Sequence, residues 1–313
     1  MASVTGESVR GTARRSLGRT RPRYGELIIK VLLFLAAGLS VATTIAIVAS
    51  LIPPTVEFFQ RVSPIEFFTG TDWTALFKNP KYGVLPLVAG TLIITGVAVL
   101  IAVPLGLGTA IYLSEYAHPR VRAFFKPILE VLAGIPTVVY GFFALVAITP
   151  ILQDYLPWDV DIYNGFAAAF VMGIMIIPTV ASLSEDAMSA VPHSLRDGAY
   201  ALGSSRMIVS VRVVVPAALS GIVAAVILAI SRAIGETMIV AIAAGNRPNW
   251  GWNPFEQMAT MTAYIAGAGQ GDLPTGSFEY KTIFAVGALL FTMTFVMNLI
   301  SIRLVRKYRE VYE

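Results

Sequence analysis

Along most of this chain the apolar positions run on rather than alternate. Long apolar stretches extend from Leu27 to Ile52, Val84 to Leu113, about Pro127 to Leu152, about Gly165 to Leu183, about Val213 to Ala244 and Thr282 to Ile302. Each reaches the roughly 17–25 residues that cross a bilayer as a helix. The pattern therefore predicts an all-α integral membrane protein with six transmembrane helices. Polar segments separate them. Residues 53–83 open on Pro53 and Pro54 and hold Trp73, Phe77 and Tyr82, as expected of an extracytoplasmic loop with interfacial aromatics. Residues 245–280, rich in Gly, Asn, Pro and Trp, read as a second long outside loop, and the loop carrying Asp154, Asp159 and Asp161 has no Lys or Arg. Pro86, Pro104, Gly106 and Gly108 predict a kink or local unwinding in the second helix.

Charge orients this scheme. Residues 1–26 carry six arginines and little apolar content, which predicts a disordered, basic cytoplasmic tail ahead of a transmembrane domain over 27–313. A signal peptide is excluded by the length of the run after it, and Lys30 can snorkel to the interface. With the N-terminus inside, seventeen of the twenty-three Lys and Arg fall on the cytoplasmic side and five outside, with Arg232 left in a span. That asymmetry places both termini in the cytoplasm.

Composition then removes function classes. Only 13% of the 313 residues are charged and 56% are hydrophobic, far from the roughly one-quarter charged of soluble domains. There is no cysteine, and His118 and His193 lie apart in polar loops, so no metal site and no catalytic nucleophile–base pair is expected. No Gly-rich phosphate loop of the Walker type occurs, so the chain hydrolyses nothing by itself and binds no cofactor of its own. The arginines cluster beside apolar runs, where topology accounts for them without nucleic acid.

Three groups of residues could carry function. Arg232 and Glu236, four apart in the fifth run, should share a helix face at mid-span. An ionised side chain there costs about 2.5 kcal/mol or more, so each should meet protein or water. They form either a buried pair that locks the helix or a polar pathway in which Arg232 offers donors to an anion and Glu236 holds the guanidinium. Gly235 would let a neighbouring helix approach. Glu130, one turn inside the third helix, and Pro136 and Tyr140 further along could line a pathway or simply shape the helix. The third group is the polar segment 184–215. Its core, Asp197 to Pro216, combines a helix with Gly198, Gly203 and Ser204, either a docking surface for a soluble partner or a loop lying on headgroups.

Within that segment Asp197-Gly198-Ala199, three residues, Gly203, nine residues, then Val213, Val215 and Pro216 resembles the Glu-Ala-Ala…Gly…Ile-x-Leu-Pro loop of the membrane subunits of bacterial ABC importers. Asp for Glu, Gly for Ala and Val for Ile and Leu are departures. The resemblance implies a type I importer permease whose 194–209 loop fits a groove on a separate ATPase, where ATP and Mg would bind. SRAIGETM at Ser231–Met238, IAVPLGLGTAIYLSEY and LEVLAGIPTVVYGFFAL are similar to phosphate-importer permeases of the Pst type, and FFTGTDW with YGVLPLVAGTL is more similar to PstC than to PstA. This implies an inorganic phosphate importer in the bacterial plasma (inner) membrane. Its other parts would be a PstA-like second permease, two ATPase subunits and an extracytoplasmic phosphate-binding protein, with Arg232 and Glu236 in the phosphate path. A permease for molybdate or sulfate, and a membrane scaffold or sensor without flux, are the other readings.

Overall fold

The computed structural model describes residues 24–308 apart from Asp272 and Thr275. The elements in order are α1 Tyr24–Phe59, α2 Pro64–Thr69, α3 Leu85–Ile111, a π-turn Tyr112–Tyr116, α4 Pro119–Ala133, α5 Thr137–Phe143, a second π-turn Ala144–Ile148 and α6 Thr149–Tyr155. Then follow α7 Gly165–Ser189, α8 His193–Ala201, α9 Arg206–Val209, a third π-turn Ser210–Val214, α10 Val215–Ala217, α11 Leu219–Ile234, α12 Met238–Ala243, α13 Met261–Gln270 and α14 Phe278–Tyr308. Among the described residues the sole β feature is an isolated bridge between Trp73 and Tyr82. Among the described residues, five stretches are long and apolar enough to cross a membrane: Gly25–Phe59, Leu85–Tyr116, Thr137–Tyr155, Gly165–Ser189 and Phe278–Arg306. A sixth results if Arg206–Ala217 and Leu219–Ile234, bent by 72°, are one span.

Two units divide the chain at Ser50. In the first, the described part is an apolar helix whose Thr43 and Thr44 hydroxyls donate to the carbonyls of Leu39 and Ser40 at 2.8 and 3.1 Å. Such back-bonding satisfies the hydroxyls without water. The predicted tail lies outside the described residues up to 23, and Tyr24 to Glu26 already belong to α1.

The second unit is built around α3, α7 and α11. In lipid no hydrophobic drive holds helices together, so close packing of small residues must do it. Here Ala98 and Ala102 of α3 share one buried cluster with Ala168 and Ala169 of α7, and Gly173 of α7 is buried as well. A Cβ on Gly106 would stand 2.8 Å from the Val180 side chain, and one on Gly173 would stand 3.1 Å from the Ala98 carbonyl, so these glycines set the spacing of the pair. A second cluster caps one end of the unit. Phe58, Phe67, Trp73, Tyr82, Tyr264 and Phe278 meet mostly edge to face, with centroids 5.0–6.4 Å apart, as the ring quadrupoles prefer. Gly70 and Gly83 touch backbone to backbone there, with room for no Cβ.

Several expected boundaries move. Pro53 and Pro54 do not end the first helix, which continues to Phe59. The hydrogen bonds they forgo are offset by burial of Phe58 in the aromatic cluster. The last helix extends to Tyr308. The outside loop over 245–280 contains α13, whose Met261, Thr262, Ala263 and Tyr264 are buried. The third and fifth helices are broken, with consequences for the candidate residues.

Candidate functional site

The fifth apolar run does not stay helical from Val213 to Ala244. α11 stops at Ile234, Gly235 takes the C-cap, and α12 begins at Met238. The reason lies in Glu236. Its Oε1 accepts the backbone N–H groups of Met238 and Ile239 at 3.0 and 3.2 Å, so the carboxylate satisfies the free donors of the new helix and sits at its positive end. Thr262 of α13 donates to the Glu236 carbonyl at 2.7 Å, and Thr91, Thr95, Thr260 and Thr262 surround the buried residue. Arg232 therefore sits in the last turn of α11 and Glu236 in the break that follows it, and among the described residues no ion pair joins them. The expected shared face is lost because the helix ends between them. Gly235 is open as well: a Cβ there would have only the carbonyls of its own helix within 4 Å, so it seats no neighbouring helix.

Arg232 turns instead to neutral groups. Nη1 donates to Thr179 Oγ1 at 3.2 Å and Nη2 to the Ala133 carbonyl at 3.4 Å. Thr179 follows Pro178 inside α7, and Ala133 is the last residue of α4. The guanidinium thus sits at the carbonyl end of α4, where the helix dipole favours a cation. Gly134 to Pro136 interrupt the predicted third helix at this place: α4 ends, Pro136 stands before α5, and the Tyr140 hydroxyl donates to the Leu132 carbonyl at 2.9 Å across the break. A Cβ on Gly141 would meet the Ile242 side chain at 3.1 Å, so α5 and α12 pack closely there. Glu130 is not one turn inside a transmembrane helix; it lies exposed on the separate, amphipathic α4. With Ser114, Arg122 and Lys126 it lines an open cleft of about 560 Å³.

The polar segment is folded. α8 runs from His193 to Ala201 and ends on Gly203, whose φ of +79° is the left-handed conformation glycine adopts at helix ends. Asp197 and Gly198 are exposed and Ala199 is half-buried against an apolar cluster of Met188, Val191, Val209 and Val214. Ser205 caps α9, and Pro216 lies in α10 immediately before the 72° bend at Ala218. Tyr200, Leu202, Met207, Ile208 and Val211 are exposed, Leu202 at 88%. Apolar side chains so presented on a short, braced helix pair suit a protein partner.

What sequence reasoning missed is the set of ion pairs around this segment. Arg196 reaches Glu115 Oε1 at 2.9 Å, the Val191 carbonyl at 2.6 Å and the Met188 carbonyl at 2.8 Å. Glu185, 1% exposed at its side chain, pairs with Arg122 and with Lys126 Nζ at 2.9 Å, and accepts from Ser189 Oγ at 2.9 Å. Lys126 also reaches Asp186 at 2.5 Å. Hydrogen bonds to Asp186 and then Glu185 raise the Lys126 pKa above its ordinary value. The available signal was position: Glu115 and Glu185 each close an apolar run with basic residues in the next polar stretch. His118 N-caps α4 by accepting from the Arg120 N–H at 3.3 Å, and among the described residues no group of three His, Asp or Glu is placed to hold a metal.

Residues 102–310 match the family described as binding-protein-dependent transport system inner membrane component. The chain is 35% identical to the probable ABC transporter permease protein YqgH of Bacillus subtilis, over 99% of this chain and 97% of that one. It is 34% identical to the phosphate transport system permease protein PstC of Mesorhizobium japonicum, over 75% of this chain and 76% of the relative. A crystal structure of a bacterial alginate ABC transporter superposes with a TM-score of 0.61 at 14% identity, covering 92% of this chain and 98% of that chain. A structure of the MetNI methionine ABC transporter in an inward-facing conformation gives 0.55 at 19% identity, covering 72% and 96%.

Proposed function

We infer the function from the family to which this chain belongs, the binding-protein-dependent transport system inner membrane components: it is a transmembrane permease subunit of an ABC importer, with the type I permease fold and no catalysis of its own. Its cargo is inorganic phosphate. It works in the bacterial inner membrane with both termini in the cytoplasm, beside a PstA-like permease, two ATPase subunits that bind ATP and Mg, and an extracytoplasmic phosphate-binding protein. The observation that carries this reading is Arg232, a half-buried cation at a helix break whose hydrogen-bond partners are a hydroxyl and a carbonyl. Carboxylate partners would already neutralise it. Neutral ones leave its charge and its remaining N–H donors to a passing anion. Contacts this long suit guidance, since a deep well would stop release. Affinity belongs to the binding protein.

Glu236, locked onto the α12 backbone, sets the direction of the chain after Arg232 rather than neutralising it. Tyr140 and Pro136 shape the same break at which the guanidinium sits, and Glu130 lines the cleft along α4. Asp197, Gly198, Ala199, Gly203 and Pro216 belong to the segment that meets the ATPase. A tetrahedral oxyanion such as molybdate or sulfate would find the same donors, so the substrate is decided by experiment. Proteoliposomes holding this chain, its partner permease and ATPase should hydrolyse ATP faster with phosphate-loaded binding protein than with the empty protein. Hydrolysis that answers to sulfate or molybdate instead would replace phosphate, and hydrolysis without uptake of any oxyanion would favour a sensor.

A further inference from the structure

The buried pair of Glu115 and Arg196 has no place in the substrate path, yet it is the most heavily bonded charge pair in the described residues. The Glu115 side chain is 5% exposed and that of Arg196 11%. One guanidinium joins three elements: its own helix α8, the end of α7 through the Met188 carbonyl and the Val191 carbonyl just beyond it, and the π-turn after α3 through Glu115. Next to it, Arg206 of α9 lies over the Tyr116 ring, 5.1 Å from its centroid. Leu107 and Ile111 of α3 and Leu195 and Ala199 of α8 close on the apolar cluster of Met188, Val191, Val209 and Val214, which α11 joins at its first turn through Ile222, next to Ala218 at the bend. The 193–209 stretch is thereby fastened to the ends of α3 and α7. Its exit to α11 is different in kind, a π-turn and a 72° bend.

We propose that Glu115 and Arg196 are the positioning residues of a mechanical joint, through which motion of the exposed segment is imposed on α3 and α7 while α11 swings at Ala218. Thr179 rides on α7 and Arg232 on α11, so a motion shared by the first and not the second changes their 3.2 Å contact and alternately covers and frees the guanidinium. The proposal rests on the reading of the chain as an ATPase-driven permease. It adds which residues carry the stroke.

The test uses the full complex in proteoliposomes with loaded binding protein, and reads phosphate accumulated per ATP hydrolysed. Glu115→Gln and Arg196→Gln should assemble and hydrolyse ATP, with that ratio falling about tenfold, the size of one lost charge-assisted hydrogen bond. The double variant should be no worse than Arg196→Gln, and Arg196→Lys should recover part of the loss. An unchanged ratio in all variants would overturn the joint, as would loss of assembly in every one, Arg196→Lys included, which marks a brace and nothing more. A wild-type complex that hydrolyses ATP without moving phosphate would instead sink the transport reading. The joint is then read separately. The chain has no cysteine, so spin labels at Leu100→Cys and His193→Cys, both exposed positions, report whether the segment and α3 move together. A single distance in the wild type on ATP binding, broadened by Glu115→Gln, supports the joint; the same narrow distance in both overturns it.

Discussion

Arg196 donates to a buried carboxylate and two backbone carbonyls, its closest contacts 2.6–2.9 Å long. Arg232, further along the same limb, reaches a hydroxyl and a carbonyl among the described residues, at 3.2 and 3.4 Å. The two cations face similar costs, since neither has free access to bulk water, and they meet them in opposite ways. At the membrane edge the counter-charge is built in. Lys126 and Arg122 follow the same rule with Glu185 and Asp186, so that charges here hold elements together. At mid-span the carboxylate that could have served, Glu236, is turned away onto the α12 backbone. On the reading proposed above, the satisfied charge is the rigid joint and the under-satisfied one is the site.

The largest test of this contrast is Arg232→Gln. Glutamine keeps donors for Thr179 and the Ala133 carbonyl but removes the charge that an anion needs. Uptake should fall roughly a hundredfold, as expected when a charged donor worth about 3 kcal/mol is lost, while assembly and basal ATP hydrolysis stay at wild-type levels. Radiolabelled phosphate uptake beside hydrolysis in the same vesicles measures both. If assembly fails together with uptake, Arg232 only holds the helices together and the contrast collapses.

Glu185→Gln addresses the other side. Removing this charge leaves Arg122 without its carboxylate against α7, while Lys126 keeps Asp186. The cost should be about 2 kcal/mol, below the ~3–5 of a wholly buried pair because water reaches both cations. A lowered thermal unfolding midpoint in detergent, with little change in uptake per folded complex at permissive temperature, is the expected outcome. An unshifted midpoint with lost uptake would move Glu185 from the joint to the path.

The membrane spans were legible because long apolar runs have few alternatives once the backbone must be satisfied without water. Their breaks were not. Pro53, Pro54, Pro104 and Pro178 stand inside helices, while Gly134 to Pro136 and Gly235 to Thr237 interrupt them. The difference lies in what meets the freed groups: the Tyr140 hydroxyl and the Arg232 guanidinium take carbonyls at the first break, and the Glu236 carboxylate takes N–H groups at the second. These partners are distant in sequence or double back locally, and periodicity reports neither. The same holds for Glu115 with Arg196, which the chain brings together across the whole of α4 to α7. Arg232 could be singled out because a mid-span cation is costly. Its partners could not.

A smaller effect separates conformation from contact in the exposed segment. Gly203 and Gly198 both have open space where a Cβ would stand, but only Gly203 has positive φ. Gly203→Ala should therefore cost about 1 kcal/mol through strain alone, read as a lower unfolding midpoint of the purified chain. Gly198→Ala, inside α8, should raise it by roughly 0.5–1 kcal/mol through helix propensity. If Gly198→Ala nevertheless weakens capture of the ATPase, the partner itself approaches that position.

The smallest expected effect is a pH dependence confined to the membrane edge. The Lys126 pKa is raised by Asp186 and Glu185, so the folded protein holds this proton more tightly than the unfolded chain. A raised folded pKa contributes stability that is complete below the unfolded value, about 10.4 for lysine, and lost as pH climbs through the folded one. Asp186 is 55% exposed at its side chain, so its share is that of a surface pair, about 0.2–1 kcal/mol. The wild type should accordingly unfold at a slightly higher temperature than Asp186→Asn at pH 8, with the gap closing above the ordinary lysine range. Tyr264, pushed up to about 12 by burial, also destabilises the fold as pH rises past 10, but it does so in both proteins and cancels in the difference. A gap that persisted at high pH would mean that Asp186 acts through the end of α7 rather than through Lys126. Arg232→Gln should leave the same difference curve untouched, because nothing at the helix break depends on that proton.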